Sequence, residues 1–312
     1  MFTRASISRI NLSASGLIAL ADLKTIAYRT ALTGTASFLD VFFLAPGIHC
    51  HQSASEVNGG EYPTCGAMTT GYVFRIENQA TVRYLQSSGK SGRLVTVQVS
   101  PPHEGPSHKL KPLAWLLYSF GIVTTIVVAA LLGSIHDWWG LGVMSMLMIA
   151  RLINITIIKR RSQIGWKGAS EPGVESDLLV LLSQDRWVRM RGMVDDVKAV
   201  TAGQWLRELD TLESFGDSIA TLLVYSSAAL AGNVSTIGGL LLASLLLVSV
   251  ALLGLCNSVT KMLRMFDRTV YVVGNSKPYD RRLTMVHELI AETKRDDWAI
   301  GLGLIVTPVG RS

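Results

Sequence analysis

The sequence predicts an α-helical integral membrane protein, with four transmembrane helices arranged as two hairpins and a cytosolic α+β cap. Three observations predict it. The 312 residues are 49% hydrophobic and only 17% charged, fewer charges than the usual quarter, and the mean hydropathy is +0.35. Long uncharged runs recur in closely spaced pairs, and Lys and Arg crowd one set of flanks while the other set has none. The net charge of +6 belongs to that flank bias, because the basic residues are mixed with acids rather than gathered into a stripe that would follow nucleic acid.

Residues 1–50 are apolar but interrupted. Arg4 and Arg9, several serines and the lack of acids before Asp22 weakly resemble a mitochondrial presequence, with too few arginines to assign one. Asp22, Lys24, Arg29 and Asp40 break the apolar stretches, so an interfacial helix followed by a membrane-dipping segment from Phe38 to Leu44 fits better than a further crossing. Residues 51–111 alternate with period two at 72–76, 81–85 and 93–97, which predicts a three-stranded meander. Pro101, Pro102, Gly105 and Pro106 then form a linker.

The first hairpin occupies 112–158. Leu113 to Gly133 is an uncharged run that, at 1.5 Å per residue, spans a hydrocarbon core of about 30 Å. Trp138 to Ile158 follows, its Trp138/Trp139 pair suited to the lipid headgroup level. The second hairpin, within 216–257, pairs a short run from Ser218 to Gly232 with Ile237 to Asn257. The loops 134–137 and 233–236 contain no Lys or Arg, whereas Lys109, Lys111, Lys159, Arg160, Arg161, Lys261, Arg264 and Arg268 flank the opposite ends. Those ends, with both termini, are expected to face the cytosol.

The loop 159–215 carries nine basic and nine acidic residues together with Trp166, Trp187 and Trp205, a composition that folds. Within it, Asp177 to Gln184 reads as helix, Arg186 to Arg191 as strand, and Val197 to Leu206 as either. In the tail, 258–312, Thr269 to Val273 reads as strand and Leu283 to Thr293 as helix.

The intramembrane polar candidates are Arg151, Asn154 and Asp217. Arg151 is the one ionisable residue well inside a span, and Asn154 shares its face one turn away. It either snorkels to the headgroups or pairs, with Asp217 as a candidate partner. Small residues at 129/133, 227/231 and 239/243 suit close helix packing. His49, Cys50, His51 and Cys65 are ligand types that zinc binds, at a spacing that matches no zinc motif, and Cys50 with Cys65 is the only plausible thiol pair. His287-Glu288 and Asp195-Asp196 lack the further residues a metal site needs, and the Asn-x-Ser/Thr triplets at Asn11, Asn154 and Asn233 are poorly placed for a glycan. No phosphate loop, dinucleotide fingerprint or nucleophile-base-acid set is present, so no cofactor and no catalytic residue are expected.

The segments 178–192, Leu-Leu-Val-Leu-Leu-Ser-Gln-Asp-Arg-Trp-Val-Arg-Met-Arg-Gly, and 280–293, Asp-Arg-Arg-Leu-Thr-Met-Val-His-Glu-Leu-Ile-Ala-Glu-Thr, resemble multi-spanning membrane proteins of filamentous fungi. The resemblance implies a multi-pass architecture and carries no activity. The expected role is a scaffold or regulatory partner of a membrane complex, its partners the lipid bilayer and another membrane protein. The alternatives are a transporter or channel subunit, which requires Arg151 and Asn154 to line a water path, and a lipid-acting enzyme, which requires Asp185, Arg186, Arg189, Asp195 and Asp196 to converge on a cavity at the cytosolic face. Exposed apolar surface near Trp187 and Trp205 would favour the partner role, whereas a deep polar cavity would favour an enzyme or a transporter.

Overall fold

The computed structural model describes residues 14–101 and 112–306. Residues 1–13 of the presequence-like stretch, with Asn11 among them, and Lys109, Lys111 and most of the Pro/Gly linker lie outside the described residues. Three helices among the described residues, Leu113–Ser134, Trp138–Arg161 and Thr236–Val259, are long and apolar enough to cross a membrane. The rest centres on a seven-stranded mixed sheet.

Two short helices, α1 (Ala14–Ala19) and α2 (Thr25–Thr33), and two 3-10 segments, Phe38–Phe42 and Ile48–Glu56, open the chain. Then come β1 (Thr64–Ala67), β2 (Val73–Arg75), α3 (Gln79–Ser88) and β3 (Arg93–Ser100). A helical hairpin, α4 (Pro112–Ser134) and α5 (Trp138–Arg161), is inserted between β3 and β4 (Glu175–Leu182). After β5 (Arg186–Met193) and α6 (Val194–Thr201), a second hairpin, α7 (Thr211–Leu230) and α8 (Thr236–Val259), precedes β6 (Met262–Met265) and β7 (Arg268–Pro278). Two helices, α9 (Arg282–Thr293) and α10 (Asp297–Gly301), complete the described chain. The sheet order is β2-β1-β4-β5-β3-β7-β6, with β3 and β5 parallel and the other neighbours antiparallel.

Three elements correct the sequence reading. Residues 81–85, expected as the middle strand of a meander, lie in α3. Asn78 caps that helix by accepting from Thr81 N, and Thr81, Val82 and Leu85 are buried at helical spacing. The strands on either side, β2 and β3, are consequently not neighbours: β1, β4 and β5 separate them. Asp177 to Gln184, read as helix, forms most of β4, flanked on both sides by β1 and β5. A strand covered on both faces shows a continuous apolar run instead of alternation, and Leu178-Leu179-Val180-Leu181-Leu182 is such a run. The short third run belongs to a longer helix, α7, that starts at Thr211 with a reciprocal Asp210/Glu213 cap and carries Glu213 and Asp217, so it falls outside the three strongly apolar helices. Strands at 186–193 and 268–278 and the helix at 282–293 occupy the segments expected for them.

Burial is layered. One face of the sheet packs with α2, α3 and α6 around Val97, Val180, Val188, Val200 and Trp205. The other holds α9 and α10 through Trp187, Met285, Leu289 and Trp298. The long helices share a separate core, including Leu132, Met144, Leu147, Leu242 and Leu246, into which Phe43, Leu44 and Ile48 of the N-terminal segment insert.

Candidate functional site

The N-terminal segment explains Arg151 and Asn154. Both side chains are buried, at 3% and 0% exposure, so Arg151 does not snorkel outward. Its Nη1 meets His51 Nδ1 at 3.1 Å and its Nε donates to Asp40 O at 3.4 Å. A guanidinium only donates, so Nδ1 must accept and the ring proton sits on Nε2, which donates to Thr30 Oγ1 at 2.9 Å. Thr30 in turn donates to Ile26 O at 3.0 Å. Asn154 Nδ2 donates to Ile48 O at 2.9 Å, and Asn154 Oδ1 accepts from Gln52 Nε2 at 3.1 Å. Gln52 Oε1 accepts from Arg161 Nη1 at 2.9 Å, and Arg161 Nε donates to Arg207 O at 2.7 Å. Arg207 then pairs with Glu213 at 2.5 Å. This relay ties the N-terminal segment, α5 and the start of α7 together.

Asp217 takes no part in it. Its Oδ1 is buried without a hydrogen-bond partner, and Arg151 is engaged by His51 and the Asp40 carbonyl instead. Arg161, which reads in the sequence as one more cytosolic flank charge, and the Thr30, His51 and Gln52 trio were not legible as partners. The only available signal was the 151/154/161 spacing, which repeats one helical face.

The acidic and basic cluster between Asp185 and Asp196 does not converge. Asp185 pairs with Arg282, Asp196 with Arg268 at 2.5 Å, and Arg189 with Asp177 and Glu292 at 2.6 and 2.7 Å. Asp195 accepts from Ser170 and from Glu171 N, and Arg186 donates to the carbonyls of Ser183 and Gln86. Trp187 and Trp205 are buried at 3% and 0%, and so offer no exposed apolar surface. Trp205 Nε1 donates to Gly34 O at 2.8 Å, a carbonyl presented by a left-handed residue at the end of α2 (φ 71°). His49, Cys50, His51 and Cys65 are dispersed: Cys50 Sγ donates to Asp22 Oδ1, His51 joins the relay, and Cys65 is buried in β1 between β2 and β4. All three cysteines are free thiols.

A basic concavity lies elsewhere, where the last turn of α8 runs into β6. It encloses about 880 Å³ between α2, α3, β3 and β7, and its wall includes Arg83, Lys90, Arg93 and Lys261. Among the described residues no carboxylate, histidine or thiol lines it. Among the described residues none of these four cations forms an ion pair. Arg83 lies over the Tyr28 ring at 4.2 Å, and Arg93 Nη1 donates to Ser276 Oγ at 3.3 Å. Tyr84 donates to Lys261 O at 3.2 Å, and burial pushes its phenol up to about 12, so it stays neutral. The cationic lining of the concavity can hold an anion. Its residues come from segments far apart in the chain, so no sequence motif announces it. Comparisons with protein-family models, with curated proteins and with solved structures find no match.

Proposed function

We propose that the chain is a multi-pass integral membrane protein, four helices in two hairpins with the sheet on the cytosolic side, acting as a scaffold or regulatory partner rather than as a catalyst or a conduit. Its apolar helices leave Leu116, Phe120, Ile126, Leu240, Leu247 and Leu255 exposed, an arrangement stable only against lipid or another apolar surface. The basic flanks Lys159, Arg160, Lys261 and Arg264 fall at the sheet ends of the hairpins, as cytosolic flanks do.

The observation that carries the reading is the use to which the intramembrane polar groups are put. Arg151 and Asn154 are spent on docking the N-terminal segment, and neither lines the basic concavity at the end of α8. The charged cluster that an enzyme would need is dispersed into separate ion pairs. What remains is a membrane-held body with a basic concavity.

Single cysteines at Ser235 and Ser276, probed with an impermeant thiol reagent in sealed vesicles of known orientation, are expected to label from opposite sides. Proteoliposomes are expected to retain small-solute tracers as protein-free vesicles do. Labelling of both positions from one side refutes the architecture, and tracer release that Asn154→Leu abolishes refutes the non-conducting role.

A further inference from the structure

We propose that the cavity at the junction of α8 with the sheet binds the phosphate groups of a multiply anionic ligand, a phosphorylated inositol headgroup presented by the adjoining lipid. The inference rests on the membrane placement above for the source of the ligand, though not for its chemistry.

The argument begins with charge. Several arginines elsewhere meet carboxylates, Arg189 with Asp177, Arg207 with Glu213 and Arg268 with Asp196, and the buried Arg151 and Arg161 are held by neutral acceptors instead. Around this concavity Arg83, Lys90, Arg93 and Lys261 meet none among the described residues; Arg29 does not line it, but donates to the lining residue Thr260 at Oγ1, 3.2 Å. Like charges gathered about a concave, partly apolar surface focus a positive potential into it. The α8 C-terminus opposes this, but its partial charge is about half a unit. Thr260 also donates to Cys256 O through its N–H and its hydroxyl, at 3.1 and 2.7 Å.

Size and donors suit the ligand. About 880 Å³ lies within the range of small-molecule sites and exceeds what a single inorganic anion needs. The guanidinium of Arg83 is already oriented by the Tyr28 ring, and a pre-positioned fork recognises phosphate without further ordering. The hydroxyls of Ser87 and Ser258 donate to Tyr84 O and Leu255 O and so can only accept from ring hydroxyls, whereas Ser276 Oγ, accepting from Arg93, keeps its proton for a phosphate oxygen.

Location favours a lipid source. Asn257 and Ser258 form the last turn of the 24-residue helix α8, and Lys261 follows it directly, so the cavity opens at the depth where headgroups lie.

The test uses the full-length protein in phosphatidylcholine nanodiscs. One arm adds a bisphosphorylated phosphatidylinositol to the bilayer, with phosphatidylserine at equal charge as control. The other adds soluble inositol trisphosphate to discs without the phosphoinositide. Binding is read by calorimetry and by protection of amides in 83–93 and 257–276 from exchange. Lys90 and Lys261 are exposed, so Lys90→Gln and Lys261→Gln should fold, each weakening binding about fivefold and the pair about 25-fold. Arg75→Gln, an exposed charge on the far edge strand, should change nothing. Phosphoinositide binding that the double variant weakens, without binding of the soluble ligand, supports the lipid source. Binding of the soluble ligand with the same variant sensitivity supports a free phosphorylated ligand instead. Binding in neither arm, equal response to phosphatidylserine, or a double variant within twofold of the parent overturns the proposal. The soluble arm does not depend on topology, so failure of the thiol-labelling test leaves this one readable.

Discussion

Replacing Arg189 with alanine should loosen α9 from the sheet. Its side chain is 9% exposed and makes a bidentate contact with Asp177, Nε to Oδ1 at 2.9 Å and Nη2 to Oδ2 at 2.6 Å. It also forks onto Glu292, Nη1 to Oε2 at 2.7 Å and Nη2 to Oε1 at 2.9 Å. Breaking a buried pair typically costs about 3–5 kcal/mol, because the stranded charge stays desolvated. Here Glu292 is 49% exposed and can rehydrate, and Arg191 still reaches Asp177 at 3.3 Å, so about 2–3 kcal/mol is the expected loss. Hydrogen bonds from Arg189 hold the Glu292 carboxyl below the usual glutamate range. A depressed carboxylate contributes stability above its unfolded value, about 4.3, and loses it as pH falls through the folded value. The parent should therefore lose α9 protection on acidification from pH 5 to pH 3, and Arg189→Ala should start lower and lose less. The assay is hydrogen exchange of the amides of 285–293, with emission of Trp187 and Trp298, which pack against that helix, as a second probe. A cost below about 0.5 kcal/mol, or an unchanged acid dependence, would show that Met285, Val286 and Leu289 hold the helix unaided.

At the opposite end, Asp137 caps α5 by accepting from Gly140 N at 2.9 Å and joins α8 by accepting from Ser235 N at 3.0 Å and Ser235 Oγ at 2.6 Å. Asp137→Ala should cost about 2–3 kcal/mol in thermal or denaturant unfolding in detergent, and Asp137→Asn less, since one acceptor oxygen remains. A Cβ at Gly238 would overlap Asp137 Oδ2, so Gly238→Ala should reproduce part of that loss by a different route, about 1–2 kcal/mol on the same melt. Gln52→Leu should strand Arg161 Nη1 and Asn154 Oδ1 and free the N-terminal segment, read as faster proteolysis within 40–56 at unchanged far-UV dichroism. Burial, and then the Asp22 hydrogen bond, push the Cys50 thiol up to about 11. Its alkylation near pH 7.5 should run roughly two orders of magnitude slower than that of a free thiol, with only a partial recovery in Asp22→Ala because burial, the larger cause, remains; fast labelling in the parent would contradict the burial and the Cys50–Asp22 contact together.

What the sequence discloses depends on whether a signal is local. The apolar helices are legible because length and composition alone define them, and the hairpin turns because Asp137 and Ser235 sit at helix starts. β4 was misread because a strand covered on both faces loses its alternation, and a run of Leu and Val is then equally compatible with helix. Residues 81–85 alternate like a strand, yet Asn78 three residues before Thr81 is a helix-start signal that outweighed β propensity. Arg151 and Asn154 stood out as polar residues in an apolar run, but their partners lie in a segment broken by Asp22, Lys24 and Arg29 that has no span pattern of its own. The nearest acid in sequence terms, Asp217, was the natural partner to choose and the wrong one. The cavity left no trace, because Arg83, Arg93 and Lys261 meet only after the sheet brings α3, β3 and the end of α8 together.

Stability does not explain the cations of that cavity, which have no carboxylate partner among the described residues. Two unit charges 10 Å apart repel by roughly 0.4 kcal/mol even in water, and more where the walls are apolar, so four of them around one concavity work against the fold. Arg83 recovers part of this through Tyr28, and Arg93 through Ser276, while Lys90 and Lys261 are exposed and contribute no apolar packing that a neutral side chain could not supply. Elements that cost stability without improving packing mark function more often than architecture. The same arithmetic fixes a sign: an anion bound there relieves the repulsion and binds only the folded state, so it must raise the unfolding temperature in proportion to the logarithm of its concentration over Kd. Neutralising the lysines has the reverse consequence. Lys90→Gln with Lys261→Gln should leave the unliganded protein slightly more stable than the parent while removing the ligand-induced rise, a crossing of the two stabilities that a merely structural role for these lysines does not produce.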